Sequence, residues 1–201
     1  MRPYLILLFL QLFCCSSCFA APDGGTPRTR YDFSKADTVL TLPDTLREIS
    51  GLTVIDATTF ACIQDENGIL FIYDLVNNRI KNQFVFNLDG DYEGITRVGN
   101  TIYILRSDGV LFEIEDYQAG SYKLNSYATG IPAENNEGLC YDADQHRLLI
   151  ACKGKTGKGP ALKDKRLIYG FDLHTKKLVN QPVYEFNVQL IKQFADEHQI
   201  N

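Results

Sequence analysis

The chain is 201 residues long and mildly acidic, with 20 Lys and Arg against 25 Asp and Glu. That balance argues against nucleic-acid binding, which wants a basic patch, while a hydrophobic content of 45% is ample for a folded core. Tryptophan is absent, so the Trp-Asp signature of WD40 blades is missing.

Arg2 stands ahead of an apolar run over 5–13, and small residues follow to Ala20. A charged start, a short apolar run and a small-residue zone read as a signal peptide over 1–20. The run is too short to span a bilayer as a helix. Two endings compete. Cys18-Phe19-Ala20 ahead of Ala21 suits an ordinary signal peptidase, whereas Ser16-Ser17-Cys18 resembles a bacterial lipobox, with Cys18 lipidated and 21–37 as a tether. Cys15 occupies the place where that motif prefers an aliphatic residue. The lipoprotein ending is favoured: a folded part in the cell envelope, held to the membrane through a lipid anchor. The soluble periplasmic or secreted form is the alternative.

From residue 38 onward, short runs of β-branched and aromatic residues alternate with Asn-Gly and Asp-Gly turns, the chemistry of hairpins. Strands are predicted over 38–42; then 52–55, 59–63, 69–75 and 80–86; then 95–98, 101–105, 110–114 and 123–128; then 139–141, 147–152, 167–173 and 183–186. Three anchors punctuate them: Ser50-Gly51-Leu52, Glu93-Gly94-Ile95 and Glu137-Gly138-Leu139. The step is 43 residues from Ser50 to Glu93 and 44 from Glu93 to Glu137. A period of about 40–50 residues built from short strands marks a β-propeller with one repeat per four-stranded blade. The fold class is therefore all-β, about three blades over 50–187. The strand over 38–42 reads as the outer strand of a closing blade, and apolar residues at Val188, Ile191, Phe194 and Ala195 predict a short C-terminal helix.

Several motifs resemble those of the SdiA-regulated (YjiK-like) family, above all its Bacteroidetes lipoprotein members. They are Leu46-Arg47-Glu48-Ile49-Ser50-Gly51-Leu52, Ile63-Gln64-Asp65-Glu66, Gly90-Asp91-Tyr92-Glu93-Gly94-Ile95, Leu105-Arg106-Ser107-Asp108-Gly109 and Asn136-Glu137-Gly138-Leu139-Cys140-Tyr141-Asp142. The resemblance covers about 38–200. It implies an extracytoplasmic six-bladed propeller related to the phytase-like, strictosidine-synthase-like and SMP-30-like propellers, and no agreed enzymatic activity. With just over three blades in 38–201, the domain reads as C-terminally incomplete, or as an arc completed by a second copy.

Strand direction places the candidate chemistry. The first strand of each blade starts on one face and the second strand returns to it. One rim should therefore collect Ser50, Glu93 and Glu137 from the starts, and Gln64, Asp65, Arg106, Ser107, Asp108 and Lys153 from the ends. Hydroxyl, carboxylate, guanidinium and ammonium around a concave mouth make a site for a small polar, acidic or sugar-like ligand. The alternative is an internal hydrogen-bond network pinning each blade to its neighbour. Calcium is a second reading, with Asp89, Asp91, Glu93 and Glu137 as oxygen ligands and Glu134 to Asn136 at the equivalent corner of the next blade. His146, His174 and His198 lie apart, which supports zinc poorly. Cys62, Cys140 and Cys152 read as buried free thiols. The stretch over 153–159 imitates a phosphate loop but lacks the Walker A spacing, and Lys163, Lys165 and Arg166 read as an exposed insertion.

Two functions survive. One is a binding or scaffold propeller, taking a ligand at its channel mouth or an envelope protein at its rim. The other is a calcium-assisted hydrolase of phosphate esters or lactones, as in the related propellers. No complete nucleophile–base pair or metal-ligand set can be assembled, so the first is favoured and an enzyme is not the leading reading.

Overall fold

The computed structural model describes residues 34–119, 121–133, 135–154 and 162–200. The chain divides into two compact units, 1–39 and 40–201. In the first, residues 34–39 form a turn and irregular backbone. Among its described residues the second holds thirteen strands, one turn of 3-10 helix (Asp44–Leu46) and a short α-helix.

Blade 1 is the antiparallel meander β1 (Ile49–Asp56), β2 (Thr59–Gln64), β3 (Ile69–Asp74) and β4 (Arg79–Val85). Blade 2 repeats it with β5 (Tyr92–Val98), β6 (Thr101–Arg106), β7 (Val110–Glu115) and β8 (Lys123–Ala128). Blade 3 has β9 (Asn136–Asp142), β10 (Arg147–Cys152) and β11 (Lys165–Asp172). Its fourth position is split between β12 (Lys177–Leu178) and β13 (Tyr184–Asn187), both paired with β11. The helix α1 (Val188–Glu197) follows, its N-terminus capped by the Asn187 side chain, which accepts from the Gln189 and Leu190 amides.

Burial explains why these sheets stack as blades. The third strands β3 and β7 are buried at all four central positions, so both their faces are covered, whereas the outer β4 is mostly exposed. In β6 the period of two is clean: Ile102 and Ile104 enter the core shared with Ala61, Ile63, Leu70 and Ile72 of blade 1. Tyr103 and Leu105 enter the core shared with Leu148, Ile150, Tyr169 and Phe171 of blade 3. Each such apolar side chain contributes about 1.5–3 kcal/mol by leaving water. Blade 2 is thus a sheet packed on both faces.

The innermost strands approach at glycine. A Cβ on Gly51 would stand 3.0 Å from Ile95 Cγ2, and one on Gly94 would stand 2.7 Å from Leu139 Cβ. Absence of a side chain lets β1, β5 and β9 pack backbone to side chain around one axis.

One inter-blade contact is charged. Glu113 lies in β7 between Phe112 and Ile114 and is 4% exposed. Its carboxylate accepts from Tyr103 and Tyr127 hydroxyls, from Asn125 Nδ2 at 3.2 Å, and from Lys176 of blade 3. The Lys176 ammonium sits 5.3 Å from the Tyr103 ring centre and 5.7 Å from that of Tyr127.

Three expectations need correction. Residues 38–42 form no strand; within the second unit Leu42 packs with Leu46 against Cys62, Phe71 and Tyr73 on the free face of blade 1. Lys165 and Arg166 open β11 rather than an insertion, and Lys165 pairs with Glu185 at 2.7 Å. Cys62 and Cys152 are buried free thiols as expected, but Cys140 is exposed, because on the edge strand β9 it alternates with Leu139, which takes the face toward the core shared with blade 2.

Candidate functional site

The same irregularity interrupts the first strand of all three blades. In blade 1, Ile49 pairs with Gln64 and Gly51 with Ile63, which leaves Ser50 between them without a partner. In blade 2, Tyr92 pairs with Arg106 and Gly94 with Leu105, leaving Glu93. In blade 3, Asn136 pairs with Cys152 and Gly138 with Ala151, leaving Glu137. Each is a β-bulge, which re-aims the extra residue out of the ladder's alternation. The residue ahead of each anchor glycine is therefore the one the fold turns out of register.

A backbone relay fixes these bulges. Just past the end of each second strand, an amide donates back to its own blade: Asp65 to the Glu48 carbonyl at 3.3 Å, Ser107 to Asp91 at 2.8 Å, and Lys153 to Asn135 at 2.9 Å. The carbonyls of the first two then accept from the next blade, Asp65 from the Tyr92 amide at 2.7 Å and Ser107 from the Asn136 amide at 3.0 Å. Asn136, fully buried, adds its own side chain: Nδ2 donates to Ser107 O at 2.9 Å and Ala133 O at 3.1 Å, and Oδ1 accepts from Cys152 Sγ at 3.2 Å.

The charged groups sort themselves on this frame. Lys153 Nζ pairs with Glu137 at 2.8 Å. Glu93 has no ion pair among the described residues. Burial first, then the charge and hydrogen bond of Asp91 and the charge of Glu137, push its carboxyl up to about 6, with Lys153 opposing. Asp91, Glu93, Glu137 and Lys153 therefore share one corner between blades 2 and 3.

The other predicted site residues are held elsewhere. Arg106 does not reach Glu93 or Glu137; it forks onto Asp108 at 3.0 and 2.8 Å and lies over the Phe112 ring at 5.5 Å. The reason is local, since Asp108 is two residues away in the same turn. Gln64 Nε2 donates to Thr45 O at 2.6 Å within blade 1. Ser50 Oγ and Asp65 Oδ1 are buried and have no hydrogen-bond partner among the described residues. On the same face, Ser107, Asp108, Ala133 and Asn135 border a hollow of about 330 Å³.

Asp89, Asp91, Glu93 and Glu137 do not assemble as a calcium set. Among the described residues no group of three or more His, Cys, Asp and Glu stands close enough to hold a metal ion. Glu134 and most of the stretch over 153–159 fall outside those residues, as does Cys18. His146 is bonded to Tyr141 OH at 2.9 Å, and the His198 ring stacks on Phe194. No helix among the described residues is long and apolar enough to cross a membrane.

Sequence reasoning placed Asn136 at a calcium corner rather than as a buried bridge between blades, and missed the Glu113–Lys176 contact. A lone carboxylate inside the apolar run Val110-Leu111-Phe112-Glu113-Ile114 was the available signal, because a charge in a strand buried on both faces must find a partner.

Three stacked antiparallel sheets whose first strands share one axis define the chain as an all-β protein of propeller blades. No family model matches it, and no curated protein matches it. Among solved structures it is distantly similar to a chain of a mitotic checkpoint complex. The TM-score is 0.47 and the identity 10%, over 69% of this chain and 38% of that one.

Proposed function

We propose that this chain is the propeller part of an envelope-anchored, extracytoplasmic binding module of the SdiA-regulated type, and that its ligand contacts the bulged rim. The observation that carries this reading is the threefold bulge. The relay is made by backbone groups and the Asn136 side chain and draws on none of the side chains at 50, 93 and 137, which are left for contact. The unpartnered Ser50 Oγ and Asp65 Oδ1 on the same rim support it. Buried polar atoms are rarely left without a partner.

The charge of the corner selects the ligand. Asp91, Glu93 and Glu137 outnumber Lys153, so a donor-rich or cationic ligand is favoured over the acidic one that the rim composition suggests. Hydrolysis is the weaker reading, because Glu137 and Asp108 are each paired with a cation and, among the described residues of the rim, no hydroxyl or thiol is hydrogen-bonded to a carboxylate or histidine.

Calorimetric titration with putrescine, a small dication, tests the rim. Binding to wild type that falls at least tenfold in Glu93→Gln supports the reading; equal binding to both removes it. Fractionation tests the anchor. Mature chain in the membrane fraction, released by Cys18→Ala, is the expected result. A mature chain starting at Ala21 and wholly soluble would overturn it.

A further inference from the structure

At the strand ends remote from the rim, a cavity of about 400 Å³ opens between blades 1 and 2. Its apolar side is made by Ile55 at the end of β1, Ile72 of β3, and Tyr117 in the turn after β7. Two opposite charges also line it: Asp56, the last residue of β1, and Lys81 from β4.

These charges do not pair with each other. Among the described residues the Lys81 ammonium has no ion-pair or hydrogen-bond partner. Asp56 is anchored instead by its own turn, with Oδ1 accepting from the Thr58 amide at 2.8 Å and the Thr58 hydroxyl at 3.0 Å. Those bonds, the backbone one first, hold its carboxyl below the usual range, so it stays ionised at neutral pH.

We propose that this cavity binds a free α-amino acid with an apolar side chain. Its carboxylate meets Lys81, its ammonium meets Asp56, and its side chain lies over Ile55, Ile72 and Tyr117. The chemistry of the walls selects this class. A simple anion would meet the repulsion of Asp56 and a simple cation that of Lys81. A neutral polyol would leave the Lys81 charge without a counterpart. A zwitterion answers both charges at once, and an apolar side chain answers the floor. The Asn82 amide, also in the wall, offers a further donor to the carboxylate. Both charged residues are exposed, so binding is weak, with a Kd on the order of 1 mM.

Titration of the intact chain with L-leucine, L-leucinamide and N-acetyl-L-leucine, followed by calorimetry, tests the assignment. Leucine should bind, and each analogue, lacking one charge, should bind at least tenfold more weakly. Lys81→Met should bring leucine down to the level of leucinamide without weakening leucinamide further. Asp56→Asn, which can still accept from Thr58, should do the same for N-acetyl-leucine. Lys81→Met should melt with the wild type, since Lys81 has no ion-pair or hydrogen-bond partner among the described residues, and Asp56→Asn should melt slightly lower, since the Thr58 bonds favour the charged form. No saturable leucine binding, unchanged binding in both variants, or tighter binding of glucose than of leucine would each overturn the proposal. Glu93→Gln should leave leucine binding unchanged, which separates this site from the rim.

Discussion

Lys176, in the turn that follows β11 of blade 3, donates a hydrogen bond to the buried carboxylate of Glu113 in β7 of blade 2. Lys176 holds positive φ, 56°, a turn conformation that carries its side chain across the blade boundary. The two residues are 63 positions apart in the chain, and together they lock the outer part of the second core.

Removing the cation should therefore cost stability. Lys176→Met leaves Glu113 buried with three neutral donors and no charge partner. The expected loss is about 3 kcal/mol, the low end for breaking a buried pair, because those donors remain. Urea unfolding of the two proteins measures it. A loss below about 1 kcal/mol would place the pair among exposed salt bridges.

The same carboxylate predicts an acid limit. Burial alone would raise the Glu113 pKa, but hydrogen bonds from Lys176, Tyr103 and Tyr127 outweigh it and hold the group at about 2, against an ordinary 4.5. A depressed carboxyl stabilises the fold fully above its unfolded value and loses that effect as pH falls through the folded one. Stability should thus decline between about pH 4.5 and 2. Glu113→Gln, less stable near neutrality, should show a flatter decline there in a denaturation series.

Glu93 has the opposite sign. Its carboxyl is raised to about 6, so the protonated form is favoured on folding, and that stabilisation is full below about 4.5 and lost as pH rises through 6. Glu93→Gln imitates the protonated state. Its melting temperature should equal the wild type's near pH 4 and exceed it at pH 8. A variant less stable than wild type at pH 8 would show that the Glu93 charge holds the corner together.

Gly94→Ala tests the packing of the inner strands. The new Cβ would lie 2.7 Å from Leu139 Cβ and 3.3 Å from the Glu137 carbonyl, too close on both sides. The expected cost is about 1–3 kcal/mol, as for overpacking in general. Gly99→Ala is the control for a backbone effect alone, since Gly99 holds φ of 59° with open space around it.

Strands and blades were legible because period-two burial and turn chemistry are local signals. The predicted second strands ended within about one residue of β2, β6 and β10. Split pairing in blade 3 was not legible, because β12 and β13 take opposite ends of the one partner strand β11, a division settled in space. At the rim, Glu93, Glu137 and Lys153 were found from their repeat positions and do meet. Arg106 was misplaced because repeat position gives the origin of a long side chain but not its reach. A carboxylate two residues on, Asp108, captured it.

The bulge has one more consequence. Its backbone is the same in every blade, yet it presents a hydroxyl at Ser50 and carboxylates at Glu93 and Glu137. Identity at these three places is thus uncoupled from the joinery of the sheets. The arc works as a row of equal sockets, and exchanging the side chain in one of them can retune what the mouth attracts without moving the wall that carries it.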